Sequence, residues 1–417
     1  MSKFLEVLKD RNFFFLWLGQ IISQIGDRLG QMSLIGFIYL RAPGSPIEIA
    51  KILSFTIIPV FLIGPIAGAY VDRWDRRRTL YICDLMRAAL VVIIPLFLFY
   101  RKGLLPIYFI IFVVFSISRF FVPAKLSIIP DLVQKKDYLI ANSLIHVTGM
   151  IAATVGFGIS GVLVEWLGAK GGFYLDALSF LVSGILIFFI ARKPNVCMSL
   201  KKVGQEIVEV IRKSVAQEIK EGFLYFVKKK DIRFTAAIIF ILWSALGSVY
   251  VVFIVFVQSA LHSATKDLGL LIMFLGIGLF LGSIAYGRFG QRFSHYKIIF
   301  VSLILSGSML VILAFTIHRY PYFIVAAGLS LFLGVLIAPI MIASNTIVHN
   351  VSDNDMMGKI FSFLEIVMHL GFLLFMLISS FLAERFSNLA ILVVVGCFLT
   401  ALGIVNLIMD RKVTWLN

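Results

Sequence analysis

Asp27 lies near the middle of an apolar stretch that begins at Phe13. An ionised carboxylate there costs several kcal/mol unless it is paired or hydrated. Two kinds of chemistry follow: the carboxylate carries a coupling proton, or it stands in a permanent ion pair with a basic residue such as Arg119, Lys125 or Arg87. Arg28 is turned about 100° further round the same helix and so addresses another partner. Arg119 and Lys125 sit six residues apart in a second apolar stretch; each can face a substrate, and the shallower Lys125 can instead snorkel to an interface. Asp84 and Arg87, at i and i+3, can pair on one helix. Glu365 and His369, at i and i+4, place a carboxylate and an imidazole on one face, suited either to proton handling or to a polar seam against a neighbour. His146 carries the same two readings.

A second constellation is Gly68-Ala69-Tyr70-Val71-Asp72-Arg73-Trp74-Asp75-Arg76-Arg77-Arg78. Gly68, at the end of an apolar stretch, lets helices approach closely, and Asp72 followed by Arg73, Arg76 and Arg77 can form a latch or set an acid at the positive end of another helix. A basic run that only fixes topology would explain Arg76 to Arg78 but not Asp72 beside Gly68. Gly156-Phe157-Gly158-Ile159-Ser160-Gly161 has the formal spacing of a dinucleotide loop, yet it lies inside an apolar helix with no strand before it, which leaves close helix packing as its role. There is no G-x-x-x-x-G-K-[ST] loop, so ATP hydrolysis is not expected. Cys83, Cys197 and Cys397 show neither CxxC nor metal-ligand spacing. No cofactor, metal or catalytic residue is expected.

The elements that must hold these groups follow from composition. With 60% of 417 residues hydrophobic and only 14% charged, the chain has more apolar surface than a soluble core can bury and must be solvated by lipid. A bilayer core of about 30 Å needs about 20 apolar helical residues. That template fits at 13–40, 47–71, 79–100, 104–128, 139–166, 172–191, 233–260, 268–287, 298–317, 321–347, 357–383 and 388–409. None of these spans has the strict polar and apolar alternation of a barrel strand. The net charge of +16 gathers in the connections between spans, which argues for topology over nucleic-acid binding. The connections on the side of both termini carry far more Lys and Arg than the others, so both termini are expected in the cytoplasm. The N-terminal MSKFLEVLKDRN leads into a first span with no cleavage site.

One long polar stretch, within 192–232, carries Val203, Ile207, Ile211, Val215 and Ile219 at every fourth position and reads as an amphipathic helix on the cytoplasmic membrane surface or against the bundle. On either side of it the chain repeats itself. GAYVDRWDRRR (68–78) is echoed by SIAYGRFGQRF (283–293), matching Arg73 with Arg288 and Arg77 with Arg292, and Pro123 and Glu165 are echoed by Pro339 and Glu384. Six-span repeats are the signature of transporter architectures with a site between halves. The expected fold is an all-α membrane protein with twelve transmembrane helices in two pseudo-symmetric six-helix bundles, 1–191 and 233–417, joined by a cytoplasmic connector at 192–232.

The 68–78 string resembles the loop signature G-x-x-x-D-R-x-x-R-R of the major facilitator superfamily, and the resemblance extends over the whole chain. NFFFLWLGQIISQIGDR (12–28), FVPAKLSIIPDLV (121–133), IANSL (140–144) and FYLDALSFLVSG (173–184) are similar to the bacterial efflux branch that contains the enterobactin and macrolide exporters. Pro123-Ala124-Lys125 and Ala141-Asn142 are also similar to the lysophospholipid transporter. The resemblance implies that Gly68, Asp72, Arg73, Arg76 and Arg77 are gating residues that do not touch substrate. Gly287 stands where the second copy would have its acid, so only the N-terminal latch is complete. The family's antiporter motif, G-P-x-x-G-G, is altered here by Phe157 and Ser160.

The expectation is a proton-coupled exporter, an antiporter of an amphipathic or hydrophobic small molecule, working by alternating access in the inner (cytoplasmic) membrane. Asp27, Arg119, Lys125, Glu365 and His369 would serve coupling and the central cavity, among side chains drawn from 40 Phe, 13 Tyr and 13 Met. A lysophospholipid or other lipid flippase of the same fold is the alternative, with Lys125 or Arg119 meeting the phosphate. A membrane-embedded enzyme or sensor finds no nucleophile–base pair in the spans. The partners expected are the substrate or lipid and the membrane lipids, with no nucleic acid, and the chain is expected to be a monomer.

Overall fold

The computed structural model describes residues 3–64, 67, 74–100, 104–191, 230–351 and 357–414. Gly68, Asp72, Arg73 and the connector over 192–229 lie outside the described residues. Among those described no strand occurs. A short helix, Lys3–Leu8, precedes α1 (Arg11–Arg41), α2 (Pro46–Leu62), α3 (Arg76–Tyr100) and α4 (Leu105–Leu132). The long helix Tyr138–Phe188 supplies α5 (138–167) and α6 (169–188). Then follow α7 (Lys230–Leu261), α8 (Lys266–Phe289), α9 (His295–Arg319), α10 (Phe323–Val351), α11 (Met357–Ala383) and α12 (Asn388–Thr414).

Local chemistry sets several of these ends. Asp10 Oδ1 accepts from the main-chain N–H groups of Asn12 and Phe13, both at 2.9 Å, and caps the start of α1. Asp75 does the same for α3, its Oδ1 accepting from Arg78 N at 3.0 Å. The sequence pattern leaves 167–171 as a loop; the chain instead turns at the single residue Gly168, with φ 71° and ψ 167°. Only glycine occupies that region without a Cβ clash, so α5 stops and α6 starts with no loop between them.

Nine helical segments among the described residues are long and apolar enough to cross a bilayer, one of them the joined pair α5 and α6. Described α2 is 17 residues long, and α1 is diluted by Gln20, Gln24, Asp27, Arg28 and Gln31. That polarity marks α1 as the helix that faces something other than lipid. Elsewhere large apolar side chains such as Val394, Phe398 and Ile408 stand exposed, as contact with acyl chains requires.

The chain packs as two compact units, Met1–Phe37 with Ile52–Ala216 and Ile38–Lys51 with Gln217–Asn417. In the first unit α1 meets α5, where Trp17 Nε1 donates to Thr148 Oγ1 at 3.0 Å; Phe55 of α2 stacks on Tyr108 of α4 at 5.0 Å; and α3 packs along α6. In the second unit α7 packs on α11, α8 on α10 and α9 on α12. First with fifth, second with fourth and third with sixth is therefore the pairing in both. Small residues permit the approach: a Cβ on Gly278, Gly334 or Gly307 would come within 2.6 Å of the backbone of the facing helix. Each unit has its own apolar core, around Phe13, Leu16, Leu80, Phe121 and Ile187 in the first and around Ile238, Leu242, Ile299, Leu303 and Ile340 in the second.

Candidate functional site

The first unit carries a ladder of small residues between α1 and α6. Gly19 faces Ser183, Gly26 faces Ser179, Gly30 faces Asp176 and Ser33 faces Gly172, an antiparallel register along one stripe of α1. The spacing of seven, four and three residues is that of a single helix face. A Cβ on Gly26 would lie 1.7 Å from Ser179 Oγ, so glycine is required by approach. The neighbouring face of α1 meets α5: Ser160 Oγ donates to the Ile25 carbonyl at 3.5 Å, and a Cβ on Gly156 would lie 3.2 Å from Arg28 Cγ. The glycine run at 156–161 serves helix packing, as its context requires.

Held between these faces is a charge cluster built on Arg87. Its Nη2 donates to Asp84 Oδ1 one turn earlier on α3, and the second oxygen of Asp84 accepts from Ser183 Oγ of α6 at 2.7 Å. Arg87 Nη1 donates to Ser118 Oγ of α4 at 3.4 Å and stands 3.9 Å from Asp27 Oδ1. The guanidinium is sandwiched by the rings of Phe121 and Phe180, with Cζ 4.5 and 4.2 Å from their centroids. Side-chain exposure is 0% for Asp84, 3% for Arg87 and 41% for Asp27. Asp84 and Arg87 thus form a neutral, desolvated pair, while Asp27 lines a cavity and approaches the same cation from there. Of the three basic partners the sequence offers for Asp27, the geometry selects Arg87.

Arg28 is turned away, as its azimuth requires: it bonds Gln31 Oε1 at 3.0 Å and lies 4.7 Å over the Phe157 ring. Lys125 lines a separate cavity of ≈ 340 Å³ with Gln24, His146 and Met150. Arg119 is half-buried on α4 and lines neither that cavity nor the one beside Asp27. Glu365 and His369 belong to the second unit. His369 Nδ1 donates to the main-chain carbonyl of Glu365 at 2.8 Å, and its ring packs 5.9 Å from Trp243. The i, i+4 spacing joins imidazole to backbone there, and the Glu365 side chain is exposed.

Of the five gating residues expected in 68–78, Arg76 and Arg77 are described, and both are engaged inside the first unit. Arg76 Nη1 pairs with Asp131 Oδ2 at the end of α4 at 2.8 Å. Arg77 donates to the Phe188 carbonyl and, at 3.5 Å, to that of Ile187, capping the C-terminus of α6 where a cation meets the negative end of the helix dipole.

One acid of the cluster is absent from the residues singled out above. Asp176, on α6 one turn before Phe180, is 4% exposed and lines the same cavity as Asp27. Its signal was present in FYLDALSFLVSG, a lone carboxylate in an apolar span, which meets the criterion applied to Asp27.

Two compact helical units with apolar side chains exposed on their surfaces and desolvated charges inside the first are the build of a polytopic membrane protein. A family model described as transmembrane secretion effector, of the major facilitator type, matches residues 3–348, and the chain belongs to that family. It is similar to the MFS-type transporter YkuC of Bacillus subtilis, 26% identical over 364 residues that cover 85% of this chain and 82% of the relative. Macrolide efflux protein A of Streptococcus pyogenes is 19% identical over 376 residues, 89% of each chain. Among solved structures the nucleoside transporter NupG superposes with a TM-score of 0.75 at 12% identity, over 96% of this chain and 99% of that one. The fold is the twelve-helix fold of major facilitator transporters.

Proposed function

We propose that this chain is a proton-coupled exporter of an amphipathic or hydrophobic small molecule, exchanging it for protons by alternating access in the cytoplasmic membrane with both termini inside. The observation that carries the reading is the 3.9 Å separation of Asp27 from Arg87. Asp84 already neutralises that cation, so Asp27 can be protonated without stranding a buried charge. The efflux relatives support the direction of transport, and Gly68, Asp72 and Arg73 complete the gating assignment with Arg76 and Arg77.

The test is Asp27→Asn in proteoliposomes. Uphill, gradient-driven export of a macrolide should be lost, while binding and downhill exchange persist. A variant that still exports uphill with wild-type stability removes Asp27 from coupling.

A lipid flippase is the second reading, favoured by the ≈ 340 Å³ cavity that brings together Lys125, His146 and Gln24, since a cation and an imidazole suit a phosphate headgroup. Competition between a macrolide and a lysophospholipid for the purified chain separates the two, with Lys125→Gln weakening only the lipid under the flippase reading.

A further inference from the structure

Asp176 stands outside the ion pairs that Asp27 and Asp84 make with Arg87 among the described residues. It is 4% exposed and its Oδ1 has no hydrogen-bond partner. Ser179, one turn away, spends its hydroxyl on the main-chain carbonyl of Asp176 at 2.7 Å. The carboxyl points at α1: a Cβ on Gly30 would lie 2.2 Å from Oδ2, and one on Gly26 would lie 3.0 Å from Oδ1. The two glycines that bracket Asp27 therefore keep open the space this carboxyl fills. Among the described residues, the charged groups bearing on it are Asp27 from α1 and Arg87 from α3. Arg87 is committed to Asp84, so an ionised Asp176 would be a buried carboxylate without a counterion of its own.

The cavity between the two acids decides what the site can take. It measures ≈ 30 Å³ and is lined by four polar side chains, Asp27, Gln31, Ser118 and Asp176. A water needs about 10–15 Å³ and two to four polar partners. Sites for organic ligands run to about 300–1,000 Å³. A water or a proton fits here, and an organic cation does not.

We propose that Asp176 is the inner proton acceptor of this unit. A proton taken from water by the half-exposed Asp27 carboxylate passes through a water in the cavity to the Asp176 carboxylate, and Asp27 returns as an anion to its pair with Arg87. This rests on the reading of Asp27 as the coupling carboxylate and adds the residue that holds the proton once it has left the water-facing side.

Infrared difference spectra of the full chain in lipid nanodiscs, recorded as the pH is scanned with no substrate present, test it. The wild type should show a protonated-carboxyl band that titrates and exchanges slowly with deuterium. Asp176→Asn should lose the band, Asp176→Glu should restore one, and Asp27→Asn should displace its titration. A wild type with no such band at any pH where it is folded overturns the proposal without recourse to variants, and so does a folded Asp176→Asn protein that keeps the whole band. The export assay separates this from the coupling role of Asp27. Uphill export by Asp27→Asn with the Asp176 band intact sinks the coupling role and leaves Asp176 as a proton site. Loss of coupling in Asp27→Asn with no spectral or pH-profile change in Asp176→Asn sinks the inner acceptor alone.

Discussion

Replacing Asp84 by Asn keeps the shape of the side chain and removes its charge, leaving Arg87 buried at 3% exposure with Asp27 at 3.9 Å as its anion. Breaking a buried pair by removing one partner costs about 3–5 kcal/mol. The Phe121 and Phe180 rings still face the guanidinium at 4.5 and 4.2 Å, and a desolvated cation–ring contact is worth about 2 kcal/mol, so the loss should fall at the lower end, about 3 kcal/mol. For a cooperative unit of about 200 residues each kcal/mol lowers the melting temperature by about 2–4 °C, which gives a fall of about 6–12 °C. Arg87→Met alone should cost a similar amount, because it strands Asp84 with Ser183 as its remaining partner. The double variant should recover most of the loss, since a buried pair replaced by uncharged groups of like volume is often neutral. Thermal unfolding of the full chain in one detergent, followed by intrinsic fluorescence, measures all three. An Asp84→Asn protein that melts with the wild type, or a double variant no better than the worse single one, would refute the account of a desolvated pair.

Gly26→Ala places a Cβ 1.7 Å from Ser179 Oγ and 2.7 Å from Ser179 Cβ, and overpacking of this kind costs about 1–3 kcal/mol; the melting temperature should fall, with partial recovery in Gly26→Ala/Ser179→Gly. Gly168 and Gly287 both have open space where a Cβ would go, yet alanine should act oppositely at the two. Gly168→Ala strains a turn at φ 71° and should cost about 1–3 kcal/mol, whereas Gly287→Ala in α8 should be neutral or stabilise by up to about 1 kcal/mol; equal effects in unfolding experiments would contradict the conformational argument. Cysteine placed at position 205 in a chain lacking its native cysteines should react with an impermeant maleimide only in inverted vesicles, and labelling of intact cells would reverse the topology.

The sequence by itself determined the solvent and the class of fold. Apolar runs long enough to span a bilayer, without the alternation of a barrel strand, leave the backbone no hydrogen-bonding choice but helix, and the repeat of 68–78 at 283–293 declared two related halves. Asp27, Arg87 and Asp84 were legible as charges that lipid does not tolerate unpaired. The i, i+3 pair on α3 could be read from helical geometry, because both partners lie on one element. Only the tertiary structure decided which cation serves Asp27. Arg87, Arg119 and Lys125 sit on other helices, and the azimuth of one helix against another is fixed by packing of small residues such as Gly26, Gly30 and Gly156. The direct turn from α5 to α6 at Gly168 escaped the hydropathy pattern because one residue in a glycine-only conformation does the work expected of a loop. Asp176 was visible as a residue but not as a member of the site. Its partnerless oxygen and its shared cavity with Asp27 exist only where α1 and α6 come within a glycine's width of each other.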